Sequence, residues 1–413
     1  MRMKFNKSSQ LVLVTAASLV AATLISACSQ LTQTLTVDFV YVATSKAEGA
    51  NSYGEINVFE INSESGRMRQ IPASPFPSAG RNPVAEAVSA DNANLFVVNQ
   101  DDNTIVQFVI GNDGKLYRYN TVNTPGIFPL AVAANQSNLF VLDTYYLQPI
   151  CSTAEPCSGS IGVFPLTAAT KTAPVAIGSP AANPAVGGNY WPLTIAGSGD
   201  VIVPTGLNVL ASGSYVYVSA YDSTVTPHVG YVFGFSVGAG GVLTAIPGSP
   251  FPAGVQPSAV ASDPSNAYLY VSDYGNGQVR AYNVAGNGAL SALSGSPFQS
   301  GNQPSAIVVD QKYPYVYVAN SADATVTAYS MSSGALTSLG TYQTGLQPVA
   351  IGIDPSTSHF LYTANFLGND VTGYELSTTA GTLVSSQFSP FPSNDQPTSV
   401  AAIPHNGTGA GVQ

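Results

Sequence analysis

The chain has 413 residues with 22 acidic against 12 basic side chains, a net charge of −10, and only 3 His, 3 Cys and 1 Trp. Charged residues make up 8%, about a third of the usual share, while 39 Gly, 29 Pro and 45% hydrophobic content describe a turn-rich globular protein rather than a disordered one. Nucleic acid is excluded as a partner, because displacing counterions from phosphates takes clustered Lys and Arg that this chain lacks.

At the N-terminus Arg2, Lys4 and Lys7 precede an uncharged apolar run from Leu11 to Ala27, the pattern of an export signal. Its end, Leu24-Ile25-Ser26-Ala27-Cys28, resembles the lipobox of bacterial lipoproteins, which implies that residues 1–27 are removed and that Cys28 carries the lipid. The alternative is an uncleaved membrane helix, but 17 residues containing Thr15, Ser18, Thr23 and Ser26 sit at the short, polar end of what spans a bilayer. The expected product is an exported protein held at the bacterial envelope, with residues 28–36 as tether and a net charge of −13 from 9 basic and 22 acidic residues. Further on, Cys151 and Cys157 enclose Ser-Thr-Ala-Glu-Pro, and an exported chain matures where disulfides persist. A disulfide between them is expected, with two free thiols as the alternative; zinc would need further ligands that do not lie nearby.

From residue 37 to 403 one unit recurs seven times, its second strand reading Phe39-Val40-Tyr41-Val42, Leu95-Phe96-Val97-Val98, Leu139-Phe140-Val141-Leu142, Tyr215-Val216-Tyr217-Val218, Tyr268-Leu269-Tyr270-Val271, Tyr315-Val316-Tyr317-Val318 and Phe360-Leu361-Tyr362-Thr363. A proline opening a small-apolar strand recurs at Pro83, Pro129, Pro192, Pro257, Pro304, Pro348 and Pro397, with gaps of 46, 63, 65, 47, 44 and 49 residues. A period of about 45–50 residues, cut by Asp-Pro and Gly-Asn turns into four short β-branched and aromatic runs, is that of a four-stranded propeller blade. The chain opens with second, third and fourth strands (Phe39 to Ile71) and ends with a first strand (Pro397 to Ile403). The expected fold is therefore an all-β, seven-bladed propeller closed by its C-terminal strand, which removes open sheet edges, with 404–413 as a tail. Ser74-Pro75-Phe76-Pro77, Ser249-Pro250-Phe251-Pro252, Ser296-Pro297-Phe298 and Ser389-Pro390-Phe391-Pro392 fall between blades, where the proline stops outer-strand pairing and the Phe fills the gap.

Tyr317-Val318-Ala319-Asn320 with Ala324-Thr325-Val326-Thr327-Ala328-Tyr329, and likewise Tyr362-Thr363-Ala364-Asn365 and Tyr270-Val271-Ser272-Asp273, resemble the blade repeat of the YVTN-type and lactonase-like seven-bladed propellers. The resemblance covers nearly all of residues 37–403 and is clearest in the last three blades. It implies the fold, together with lactone-ring chemistry. The family's catalytic set of basic and acidic channel residues has no secure match here.

A propeller sends its first loop of each blade (strand A to B) to one face and its B–C and D–A loops to the other. The residues just before the anchor prolines, Asn82, Phe128, Trp191, Gln256, Gln303, Gln347 and Gln396, are expected to ring the channel mouth on that second face. Amides and a Trp suit a sugar or another neutral polar ligand; capping of the loops is the plainer alternative. Three residues after each anchor stand Glu86, Val132, Ile195, Val260, Ile307, Ile351 and Val400, so one carboxylate breaks an apolar ring, with Arg81 as its expected partner. His228, in a long B–C loop, is the best-placed general base, though a lone loop His is commonly just solvated. Glu86, His228 and Arg81 are thus the catalytic candidates, with no metal and no cofactor expected. The leading expectation is a monomeric scaffold whose rim binds a glycan, a small neutral ligand or an envelope protein; the alternative is hydrolysis of a neutral, sugar-type lactone by a base in the channel.

Overall fold

The computed structural model describes residues 36–146, 157–195 and 199–404. Cys28, Cys151 and most of the tail lie outside them; Cys157 is disulfide-bonded, and its expected pairing with Cys151 falls outside the described residues.

Seven antiparallel sheets form the ring, and among the described residues there is no α-helix. Blade 1 takes strands B, C and D from the N-terminal side (Thr36–Glu48, Tyr53–Asn62, Met68–Gln70) and strand A from the C-terminal side (Ala401–Pro404). Tyr41 faces Ala401 and Asp38 faces Pro404, so the tail zips antiparallel onto the opening strand, as the order of repeats requires. Blade 2 comprises Pro83–Val88, Asn94–Asn99, Thr104–Ile110 and Leu116–Asn123; blade 3 comprises Ile127–Ala134, Asn138–Tyr145, Ser160–Thr167 and Ala176–Ile177. Blade 4 comprises Ile202–Val209, Tyr215–Asp222, Val229–Val237 and Leu243–Ala245; blade 5 comprises Pro257–Ser262, Tyr268–Asp273, Gln278–Val284 and Leu290–Ala292. Blade 6 comprises Pro304–Val309, Tyr315–Asn320, Thr325–Ser332 and Ala335–Gln343; blade 7 comprises Pro348–Ile353, Phe360–Asn365, Asp370–Leu376 and Leu383–Ser385.

One anchor is corrected. Pro192 does not open blade 4: Trp191-Pro192 pairs with strand C of blade 3, at Ile161 and Ser160. That is the place taken by Phe-Pro in blades 1, 4 and 7, where Phe76 faces Ile56, Phe251 faces Val232 and Phe391 faces Val371. The true anchor is Pro204, which faces Ala220 and is followed by the same register slip as Pro257 opposite Asp273. The inserted chain therefore lies chiefly in blade 3, whose anchor is 75 residues before that of blade 4.

The Ser-Pro-Phe phrase has a second role. Where the short strand D ends, strand C would be left with an unpaired N–H, and the serine hydroxyl accepts it: Val58 to Ser74, Gly234 to Ser249, Ala281 to Ser296 and Gly373 to Ser389, each at 2.9 Å. Blades 2 and 6 lack the phrase and carry a long strand D instead, bent by a bulge. Ser249→Ala strands the Gly234 amide and is expected to lower stability by about 1–2 kcal/mol in urea titration; a loss no larger than that of an exposed-serine control overturns this role.

Blades are buckled by aromatic side chains of strand B. Tyr41, Tyr217, Tyr270 and Tyr317 donate their hydroxyls to the carbonyls of Gly114, Gly288, Gly334 and Gly381 in the C–D turn of the next blade, at 2.7–3.0 Å. Burial raises all four phenols, which keeps them protonated as donors. Inner strands are joined directly: Ser258 bonds the Pro304 carbonyl at 2.5 Å, Ser305 that of Pro348 at 2.6 Å and Thr398 that of Pro83 at 2.8 Å.

Candidate functional site

The channel mouth on the B–C/D–A face is built by the backbone. Asn82, Phe128, Gln303, Gln347 and Gln396 all have left-handed φ, from 53° to 59°. Such a conformation ahead of a proline is costly for a side-chain-bearing residue, and it is held by fixed pairing of the carbonyl. The carbonyls of Asn82, Gln256, Gln303 and Gln347 accept the N–H of Gln100, Tyr274, Ser321 and Phe366, the residues at which the B–C loops begin, and that of Gln396 accepts the N–H of Ser45 within strand B of blade 1. Side chains differ in freedom. The Asn82 amide donates to Gln100 and Asp101, and Gln396 accepts from Ser45. Gln256, Gln303 and Gln347 make no side-chain hydrogen bond among the described residues, so their amides are available to a ligand.

Trp191 is not part of this ring. It is 7% exposed, packed with Ile161, Leu193 and Phe233, and Val203 stands before the true anchor of blade 4. The reading failed because blade 3 writes its Phe-Pro plug as Trp-Pro, which looks like an anchor in sequence.

Glu86 sits in strand A of blade 2, opposite Val97. With Leu207 replacing Ile195 in the register, it remains the one charged member of a ring of Val132, Leu207, Val260, Ile307, Ile351 and Val400. Both carboxyl oxygens are shut off from solvent without a completed hydrogen bond, although the residue itself is only half-buried. Burial pushes the carboxyl up to about 8, tempered by the Ser399 hydroxyl and the Ala401 amide of the adjoining inner strand. Ser399 was missed in sequence, yet the signal was there. Two residues after the other anchors stand Ala85, Ala131, Gly206, Ala259, Ala306 and Ala350. The two polar exceptions of the inner ring face each other across the closing seam.

The other two candidates lie elsewhere. Arg81 does not pair with Glu86; its guanidinium bonds Asp102 at 2.6 Å and the Asp101 carbonyl at 3.2 Å. His228 donates Nδ1–H to the Val225 carbonyl at 2.9 Å and lies 4.8 Å, centroid to centroid, from the Tyr221 ring. Neither acts on the Glu86 carboxyl, so the three do not form one constellation.

The charge of this face is settled by pairing. Three cations reach it among the described residues: Arg81 on Asp102, Lys46 on Asp395 at 2.7 Å and Glu48 at 3.2 Å, and Arg280 on Asp273 at 3.3 Å. Each is neutralised by a carboxylate. A phosphate dianion would find no free countercharge, whereas a polyhydroxylated neutral ligand would find amide donors and acceptors.

The family described as "Lactonase, 7-bladed beta-propeller" matches residues 289–401, which span the end of blade 5 through the closing strand. No curated protein matches the chain by sequence. Among solved structures, a putative 6-phosphogluconolactonase of Bacteroides fragilis superposes with a TM-score of 0.69 at 19% identity, covering 90% of this chain and 99% of that one. A second, from Bacteroides uniformis, gives 0.70 at 16% identity over 89% and 100%. The periplasmic gluconolactonase of Pseudomonas aeruginosa gives 0.69 at 17% identity over 89% and 99%. By its fold the chain is a seven-bladed β-propeller, and its residues 289–401 are similar in sequence to the lactonase propellers.

Proposed function

We propose that the protein hydrolyses a neutral sugar-type lactone at the channel mouth of the B–C/D–A face. The observation that carries this reading is the Glu86 carboxyl, a proton-exchanging group pushed up to about 8 in an otherwise apolar inner ring. The lactonase-type sequence of residues 289–401 and the likeness to sugar-lactone hydrolases support it over a purely binding scaffold. Neutrality of the substrate follows from the paired cations of the rim.

In the reaction the ionised Glu86 takes a proton from water as the oxygen adds to the lactone carbonyl. The acyl–oxygen bond then breaks, and the proton passes to the departing ring oxygen, giving the open hydroxy acid. The free amides of Gln256, Gln303 and Gln347 hold the substrate hydroxyls. Because the carboxyl is shielded in the free protein, the side chain must rotate from the seam toward the channel, which its half-buried stem allows. The same reading places the protein outside the cytoplasm, tethered through Cys28, and working as a monomer.

The test is proton release from glucono-δ-lactone above the uncatalysed rate, alongside the 6-phosphorylated lactone. Turnover of the neutral compound only is expected, with kcat/KM rising toward pH 8 and falling about 100-fold or more in Glu86→Gln. Full activity of Glu86→Gln, or preference for the phosphorylated compound, sinks the assignment.

A further inference from the structure

Blade 3 carries aromatic rings in radial order on the B–C/D–A face. Phe128, the residue before the anchor, meets Tyr145 at the end of strand B edge-on, with centroids 6.2 Å apart and planes at 75°. Tyr146, next in the chain, is stacked on Tyr190 at 5.7 Å and 15°. Tyr190 directly precedes Trp191, which pairs with strand C at Ile161. The file thus leads from the innermost strand to the third one, about 10 Å at normal strand spacing. All four rings are half-buried, so each keeps exposed surface.

Their backbone is tied down. The Thr144 hydroxyl bonds the Phe128 carbonyl at 2.7 Å, the Tyr146 amide bonds the Ser158 carbonyl at 3.1 Å, and the Asn183 amide bonds the Tyr190 carbonyl at 3.0 Å. The core does not account for the outward pair, because neither Tyr146 nor Tyr190 belongs to the apolar clusters that hold blades together. Pyranose rings present apolar C–H faces to aromatic surfaces and direct their hydroxyls sideways, and among the described residues the rim offers no free cation that would favour an anionic chain instead.

We propose that this file is a platform for a neutral oligosaccharide whose terminal unit is the lactone, so that sugar units beyond the reacting ring lie along Phe128, Tyr145, Tyr146 and Tyr190. The inference rests on the lactone-hydrolase reading for the terminal unit only; the platform stands on the aromatic geometry. The full-length protein would be titrated with cellopentaose and maltopentaose by calorimetry, and assayed on cellobiono-δ-lactone against glucono-δ-lactone. The expected result is binding of at least one pentaose and a KM about tenfold lower for the longer lactone. Tyr146→Ala/Tyr190→Ala should remove both effects while leaving glucono-δ-lactone turnover intact, and Tyr146→Phe should retain them. Unaltered melting of the double variant excludes a folding artefact. Binding of neither pentaose together with equal KM values, or the same KM ratio in the double variant, overturns the platform. Pentaose binding that the double variant abolishes, without hydrolysis of either lactone, supports the platform and sinks the hydrolase reading instead.

Discussion

Gly334→Ala is expected to cost about 3–5 kcal/mol in urea denaturation, against about 1 kcal/mol for Gly240→Ala. Both glycines have left-handed φ, +81° and +68°, so both replacements pay for a backbone that alanine adopts poorly. Only at Gly334 does the new methyl collide with a neighbour, the Tyr268 ring of the preceding blade; at Gly240 nothing lies within 4 Å. Overpacking of that kind adds about 1–3 kcal/mol. It also displaces the carbonyl to which Tyr270 donates its buried hydroxyl at 2.9 Å. The same clamp recurs with Phe39 on Gly114, Tyr215 on Gly288, Tyr315 on Gly381 and Phe360 on Gly66. One aromatic covers the turn glycine and, in four blades, the tyrosine two residues on bonds its carbonyl. Equal losses for the two variants would show that backbone strain alone, and not contact between blades, sets the cost.

The second large effect is a loss of stability as pH rises. Burial pushes Asp38 up to about 8, Glu86 up to about 8 and Asp143 up to about 7. At Asp38 the neighbouring Asp354 reinforces the shift, while the Ser356 hydroxyl and Lys312 oppose it. A carboxyl raised in this way stays protonated in the folded protein at pH values where the unfolded chain has already released its proton. The folded state then binds more protons, and stability declines as pH rises from the ordinary carboxylate range toward the folded value. For Glu86 that window runs from about 4.5 to about 8. Each group contributes at most about 1.4 kcal/mol per pH unit inside its window. Glu86→Gln keeps the shape and cannot ionise. It should match the natural protein at pH 5 and exceed it by about 2–4 kcal/mol at pH 8. Parallel stability curves for the two proteins between pH 5 and 8 would refute a protonated Glu86 in the seam.

Both effects come from groups that the repeat makes visible to different degrees. The aromatic residues of strand B and the turn glycines are legible because the aromatic pair recurs in five blades and the glycine in six at fixed spacing, and alternation along a strand dictates which side chains enter the gaps between blades. Glu86 was legible as an exception to that repeat. Its environment was not, since Arg81 lies five positions upstream and yet turns to Asp102, while Ser399 lies 313 residues away. Trp191 misled for a related reason: an aromatic-proline pair has the same local appearance as an anchor or as a plug, and only pairing with Ile161 rather than with strand B of blade 4 decides between them.

The seven-fold period, the four strands of each unit and closure of the first blade by the last strand could be read from the residues alone, because turn chemistry and strand alternation act over a few residues. The true anchor of blade 4, the partners of the three rim cations, the Glu86–Ser399 apposition and the aromatic file across blade 3 emerge only when the chain is folded. Those depend on which loops and seams meet when the ring closes, and the distances that set charge, desolvation and stacking exist only between residues far apart in the chain.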